Sequence, residues 1–438
     1  MLQRKIETMI TEHFLSKKKE ALVIDGARQV GKTYIVRHVG NKLFKNVIEV
    51  NMLEDSLQER LFEHVRTRDD FYLQLSLLAG NKMGSNKDTL VFIDEIQAYP
   101  HLLTLLKFLV DDSRFTYVAS GSQLGIALSQ TTSIPMGTIK KVRMYPLDFE
   151  EFLIANGVGA EAIADVGNTL KREKSLNSST HKKLLDYFKK YLLTGGMPAA
   201  VSEYLSTTNM QAVREIQNEI HEYYSIDASK YDEENRLVIR RIYDLILSNM
   251  ENKKKRMVVK NIEQKRGKTF KSYQNEFEYL IESGVATAVQ AVSNPSFPLV
   301  ETGGKNLLKL YLNDVGLLTA KLFGYNVRAV LDDAKSVNLG AVYETAVANE
   351  LKAHGHSLFY YDNRDKGEVD FLIDDYDSLS VLPIEVKSGR DYTIHSALNN
   401  LTNNSGYGIK KGLVLSNSGD VKVSDKISYF PIYFAMFL

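Results

Sequence analysis

The chain has 438 residues, 44% hydrophobic and 25% charged, with Lys plus Arg at 55 against Asp plus Glu at 54, a formal charge of +1. That balance excludes a disordered or fibrous chain, and it leaves any pull toward nucleic acid or membrane to a local patch. Cysteine is absent, which excludes disulfides, Cys-ligated zinc, iron–sulfur clusters and Cys nucleophiles.

Residues 1–20 are interrupted by charge every few positions, so they hold no apolar signal-peptide core. Ile6, Ile10 and Phe14, spaced by fours, predict an amphipathic helix. Four short apolar runs follow: ALVIDG (21–26), KNVIEVNM (45–52), TLVFIDE (89–95) and FTYVASGS (115–122). Each reads as a strand, with helical patterns between them, and that alternation predicts a parallel α/β sheet. HLLTLLKFLV (101–110) is the richest apolar stretch. It falls short of the about 18 residues a membrane span needs and contains Lys107, so it reads as a buried helix. KKVRMYPLDFEEFL (140–153) reads as a strand, a turn at Pro146 and a helix capped by Asp148, with Glu150 and Glu151 in its first turn. Residues 157–183, with scattered Gly, Asn, Ser and Thr, read as a loop or insertion. Residues 184–250 read as helical, broken at GGMP (195–198). Residues 251–325 change to a basic cluster, helices and a turn region at 294–304. Residues 339–438 read as a helix, three strands, a helix and mixed strands. The expected setting is cytoplasmic, without membrane contact.

GARQVGKT (26–33) fits G-x-x-x-x-G-K-[ST] between a strand and a helical run, the context a phosphate-binding loop requires. Gly26 and Gly31 let the backbone turn its N–H groups inward, so the stretch Gly26, Ala27, Arg28, Gln29, Val30, Gly31, Lys32, Thr33 and Tyr34 is the expected nucleotide seat. The helix dipole adds to it. Lys32 can reach the β and γ phosphates, and the Thr33 hydroxyl can face Mg²⁺. VFIDE (91–95) supplies Asp94 at a strand end to hold the ion and Glu95 to activate the attacking water. YVASGSQ (117–123) offers Ser120 and Ser122 as alternative γ-phosphate sensors. ATP and Mg²⁺ are the expected cofactors.

From 253 to 271 the bases are Lys253, Lys254, Lys255, Arg256, Lys260, Lys265, Arg266, Lys268 and Lys271, with Glu263 the only acid: nine less one, +8 locally. Two helices split by Gly267, then a strand pair, read as a winged helix. Phosphate neutralisation on DNA and a protein-contact face are both open to it. Further on, Glu344 lies on a helical run, Glu368 and Asp370 on GEVDFLID (367–374), and Glu385 and Lys387 on VLPIEVKSG (381–389). Glu385 and Lys387, two apart, share a sheet face. A hairpin with Asp370 opposite would gather Asp370, Glu385 and Lys387, with Glu344 reaching in. Asp370 and Glu385 could then hold Mg²⁺ and Lys387 could offset developing charge. A degenerate version kept for structure is the alternative.

GARQVGKT, VFIDEIQ, ASGS, MYPLDFEEFL, LLTGGMP, LYLNDVGLL, VYETAVANEL, EVDFLI and IEVKSG, in this order, resemble the prokaryotic AAA+-like P-loop ATPases that carry a winged helix and a C-terminal PD-(D/E)XK nuclease-like domain of unknown function. The resemblance spans nearly the whole chain. It implies an α/β fold: an AAA+-like parallel sheet over 1–155, a helical region over 156–250, a winged helix over 251–325 and a restriction-endonuclease-like domain over 326–438. It also implies ATP binding and hydrolysis, a DNA-linked role, and a homo-oligomer or protein partner. Many members carry Gly-Arg or Gly-Lys before the PLDFEEF-like helix. Gly137-Thr138 stands here, leaving the arginine finger open, with Arg143 as a weak substitute.

Overall fold

The computed structural model describes residues 2–16, 18–84, 88–125, 137–231, 236–250, 255–263, 267–302, 307–332, 339–389 and 392–438. The chain divides into two units, Gln3–Tyr145 with Glu282–Val285, and Pro146–Ile281 with Ala286–Leu438.

The N-terminal unit is built on five strands, β1 (Ala21–Asp25), β2 (Asn46–Asn51), β3 (Thr89–Asp94), β4 (Thr116–Gly121) and β5 (Ile139–Arg143). They run parallel in the order β2-β3-β4-β1-β5. Parallel strands need helical crossovers; α1 (Lys5–Leu15), α2 (Lys32–Leu43), α3 (Met52–Leu57), α4 (Arg68–Ala79) and α5 (His101–Asp112) are this unit's helices. β1 and β3 are buried along their whole length, which is why they read as unbroken apolar runs. Register pairs Asp25 with Gly121 and Asn51 with Asp94. The carboxyl ends of β1, β3 and β4 therefore share one edge, where open α/β sheets hold their ligands.

The second unit begins with helices α6 (Phe149–Ala155), α7 (Ala160–Lys171), α8 (Ser178–Thr194), α9 (Pro198–Thr207), α10 (Met210–Tyr231) and α11 (Arg236–Met250). Asp148 caps α6 as expected, accepting from the Glu151 N–H at 2.8 Å in a capping box. The expected loop at 157–183 is instead mostly helix. Its polar residues are caps rather than linkers: Asn177 accepts from the Thr180 N–H at 2.8 Å to start α8. Gly167 lies on the buried side of α7, where a Cβ would meet the Phe437 ring at 2.8 Å.

The mixed sheet of this unit holds β6 (Ala286–Val292), β7 (Leu308–Leu312), β8 (Phe359–Asn363), β9 (Gly367–Asp375), β10 (Ser380–Lys387), β11 (Gly412–Ser416), β12 (Lys422–Val423) and β13 (Ile427–Pro431). Its order is β12-β13-β11-β10-β9-β8-β6-β7. The strand pair expected as a wing is β6–β7, and β6 pairs in parallel with β8, so the hairpin continues the C-terminal sheet. The first of the two expected helices is a single turn, α12 (Val259–Ile262). Upstream of it the backbone is extended: Arg256 bridges Lys309 on β7, and the Met257 N–H donates to the Leu308 carbonyl at 2.9 Å. That pairing competes with helix. The second is a 3₁₀ turn over Phe270–Tyr273 leading into α13 (Gln274–Glu282). Lys253, Lys254, Lys265 and Arg266 lie outside the described residues. Helices α14 (Val315–Phe323), α15 (Arg328–Leu331), α16 (Gly340–Ala353) and α17 (Ser396–Thr402) complete the unit.

Candidate functional site

The loop between β1 and α2 has three residues in the left-handed half of conformational space, Gly26 (φ +154°), Gln29 (φ +65°) and Gly31 (φ +96°). Positive φ at Gln29 and Gly31, two apart, turns the intervening N–H groups to one side, the geometry of an anion-binding nest. Gly26 is required twice over: a Cβ there would overlap the Met144 carbonyl oxygen. Gly31 is the N-cap of α2, so the helix starts at Lys32 with its dipole aimed at the loop.

Lys32 is buried, and its ammonium donates to the carbonyls of Gly26 at 2.9 Å and Ala27 at 2.8 Å. An ammonium has three N–H donors, so one remains for a ligand. Burial pushes the Lys32 pKa down, and Glu95, Asp25 and Asp94 oppose that shift in turn. Asp25, fully buried at the end of β1, is matched by Lys141 at 3.3 Å.

Thr33 donates its hydroxyl to Asp94 Oδ2 at 2.8 Å, and the Glu95 N–H reaches Asp94 Oδ1 at 3.1 Å. The Ser120 hydroxyl bonds the same Oδ1, so Ser120 holds Asp94 in place. Ser122, also buried, faces a different partner: Gln97 Nε2 lies 3.5 Å from its Oγ and bonds the Glu95 carboxylate. The two serines therefore act on different acids. Gln97 was invisible as a site residue in the sequence, because a glutamine in a short 3₁₀ turn has no distinctive spacing. Glu95 itself sits in the left-handed region at φ +52°, which ends the strand and turns its side chain beside Asp94.

Tyr34 is exposed on the first turn of α2 and stacks on His38, rings 6.2 Å apart and 4° from parallel. Arg28 is half-buried and Gln29 exposed at the loop crown. Arg143 donates to the Glu282 carbonyl at 3.0 Å. Next to it, a Cβ at Gly284 would stand 3.0 Å from the Ala27 nitrogen and 3.1 Å from the Arg143 guanidinium. Residues 282–285 are thus part of the loop's surroundings.

In the second unit, Ile384 of β10 lies opposite Phe371 of β9, so the antiparallel register carries Glu385 past Asp370. Asp370 Oδ2 accepts from the Val386 N–H at 2.8 Å, and Lys387 donates to Glu385 at 2.7 Å. Glu344 comes from α16, fully within the buried side of that helix. Burial, then the charges of Glu344 and Glu385, push the Asp370 carboxyl well above the usual range. Burial also raises Glu385, against the pull of Lys387. Sequence reasoning missed the remaining members. Lys255 pairs with Glu344, Arg256 with Asp362 and Glu368, and Lys309 with Glu368 at 2.6 Å. Tyr311 donates to Glu344 at 3.1 Å. Lys255 and Arg256, read as part of a basic cluster open to DNA or to a protein partner, are committed to these carboxylates. Among the described residues, no group of three or more His, Cys, Asp or Glu side chains is arranged to hold a metal ion.

Three stretches match known families. Residues 18–153 match the family described as an AAA domain. The N-terminal unit has the AAA-type P-loop ATPase fold. Residues 185–326 match a domain of unknown function, DUF8612, and residues 339–434 another, DUF4143. The chain is 25% identical over 355 residues to the uncharacterized protein MJ1544 of Methanocaldococcus jannaschii, covering 80% of this chain and 71% of that protein. It is 25% identical over 142 residues to an uncharacterized protein of Haemophilus influenzae, 32% of this chain and 34% of that one. Among solved structures it is similar to the Walker-type ATPase PABY2304 of Pyrococcus abyssi, at 14% identity and TM-score 0.45, over 73% of this chain and 95% of that one. It is also similar to the ORC1 protein of Aeropyrum pernix, solved in complex with DNA, at 14% identity and TM-score 0.33, over 74% and 94%. Among the described residues no helix is long and apolar enough to cross a membrane.

Proposed function

We propose that the chain binds Mg²⁺–ATP on residues 26–33 and hydrolyses it. The observation that carries this reading is the coupling of loop and strand: Lys32 is held among the loop carbonyls while Thr33 is bonded to Asp94. The residues fit the nucleotide. The nest supplies N–H donors for phosphate oxygens, the remaining N–H of Lys32 supplies a positive donor, and the Thr33 hydroxyl and Asp94 carboxylate are hard oxygen ligands side by side. When bound, Mg²⁺ neutralises charge on the phosphates. Glu95 takes the proton of the attacking water, and Gln97 holds that carboxylate's orientation and ties it to Ser122. Lys32→Ala should abolish binding of a fluorescent ATP analogue, and Glu95→Gln should keep binding while slowing turnover. Hydrolysis at parental rate by both variants would sink the reading.

The nucleotide state is proposed to act on the second unit, as a DNA-directed module or as a switch for protein partners. The internal commitment of Lys255 and Arg256 favours the switch, because it leaves Lys260, Lys268 and Lys271 as the exposed described bases of the cluster. ATP turnover recorded with single-stranded, duplex and branched DNA separates the two. Stimulation or cleavage supports the DNA reading; indifference to all three supports the switch.

A further inference from the structure

Five carboxylates of the second unit, Glu344, Asp362, Glu368, Asp370 and Glu385, gather around β9 and are met by four cations of the same unit, Lys255, Arg256, Lys309 and Lys387. Three of those cations arrive along one short path. Residues 256–257 lie against β7, through the Arg256–Lys309 bridge and the Met257 N–H to Leu308 bond, and Lys309 is on β7 itself. Adjacent residues of an extended chain point to opposite sides, yet Lys255 and Arg256 both reach the carboxylates. Lys255 does so through φ +47°, a conformation non-glycine residues rarely adopt. Such an outlier persists where its surroundings hold it.

The consequence falls on Glu344. One of its oxygens takes the Lys255 ammonium and the other the Tyr311 hydroxyl. Burial works against the Lys255 charge, but Glu344 and Asp370 outweigh it and hold its pKa above the ordinary lysine range. The acids of this site already have partners in the chain: Asp370 accepts the Val386 N–H at 2.8 Å, Glu385 takes the Lys387 ammonium at 2.7 Å, and Glu344 takes Lys255. The Mg²⁺ seat expected on Asp370 and Glu385 is thus surrounded by cations of the chain itself, with the charges of Lys309 and Lys255 also reaching Asp370. We propose that Lys255 is the resident counter-cation of this site, standing where a metal-dependent nuclease would keep its divalent ion, so that the C-terminal sheet takes no Mg²⁺ while residues 255–257 lie on β7. The inference is independent of the ATP reading and bears on the second unit alone.

The test uses Mn²⁺ with the full chain and no nucleotide, all proteins carrying Asp94→Asn to silence the other candidate ion site. Mn²⁺ binding is followed by electron paramagnetic resonance and thermal unfolding is recorded with EDTA or Mn²⁺. In the Lys255 parent, adding Asp370→Asn should leave Mn²⁺ binding unchanged. Lys255→Met, which keeps the apolar stem, should gain about one Mn²⁺ site per chain and lose it again with Asp370→Asn. Its melting temperature should fall in EDTA and recover with Mn²⁺. If the variant folds only with Mn²⁺, that too supports the proposal. Mn²⁺ binding in the parent that Asp370→Asn removes would overturn it. So would a Lys255→Met protein that gains no site, or whose stability Mn²⁺ does not restore.

Discussion

Asp314 joins the GGMP turn to α14, and its charge sets a pH dependence that can be worked through. The carboxylate is buried and accepts the Gly196 N–H at 2.5 Å and the Leu317 N–H at 2.9 Å. Burial raises its pKa from 3.8 to about 6, against the backbone N–H groups of Gly196, Leu317, Gly316 and Met197, which favour the charged form. A raised carboxyl pKa means that the folded chain holds this proton more tightly than the unfolded one. The stability it supports is full below about 3.8 and is lost as pH rises through about 6. At about 1.36 kcal/mol per pH unit the whole effect is about 3 kcal/mol, of which about 1.4 falls between pH 5 and 8. Asp314→Asn removes the titration and keeps one acceptor, at the cost of leaving an N–H donor short by about 1–3 kcal/mol. The variant should therefore trail the parent at pH 5 and close the gap by about 1.4 kcal/mol at pH 8. Urea unfolding of both proteins by circular dichroism, at the two pH values, measures that difference. A gap that is the same at pH 5 and pH 8 would refute the reasoning.

Three further outcomes are expected. Gly26→Ala should cut binding of an ATP analogue by at least about tenfold, or about 1.4 kcal/mol, because the added Cβ overlaps the Met144 carbonyl; unchanged affinity in a titration would show that the loop can yield there. Asp148→Ala removes the capping box of α6 and should cost about 1–2 kcal/mol in a urea titration. Under the DNA-directed reading, changing the exposed Lys260, Lys268 and Lys271 together to Ser should flatten the salt dependence of duplex binding by about 0.9 in slope for each phosphate no longer neutralised, read by fluorescence anisotropy; an unchanged slope, or no duplex binding in the parent, would make them a solvated face.

The parts of the fold that were legible are those in which one short stretch carries its own signal. The strand-loop-helix at 21–43 shows an apolar run, two glycines at fixed spacing and a helical period, and all three are local. The alternation of Glu385 and Lys387 is likewise a property of eight consecutive residues of β10. What escaped was set by partners distant in the chain. Residues 255–257 read only as part of a basic cluster because nothing nearby reveals Leu308 and Lys309, which hold them extended. The hairpin β6–β7 reads as a wing because its pairing with β8 depends on residues some seventy positions on. The stretch 157–183 failed differently: Asn177 and Gly159 are equally common in loops and at helix starts. The partners of the carboxylates were missed for the same reason as the hairpin, since Lys255, Lys309 and Glu344 lie on three separate elements.

The four residues Glu282–Val285 carry a consequence for how the molecule can be divided. The N-terminal unit is not a continuous stretch of chain: the polypeptide leaves it at Tyr145 and returns much later for this short visit. A fragment ending at Tyr145 would lack the backbone carbonyl that receives Arg143 and the glycine that abuts Ala27. The natural seam for cutting, grafting or recombining the N-terminal unit is therefore not the first exit of the chain. Any excision that keeps the phosphate loop's native flank must bring these four residues along, either by circular rearrangement or as a separate peptide.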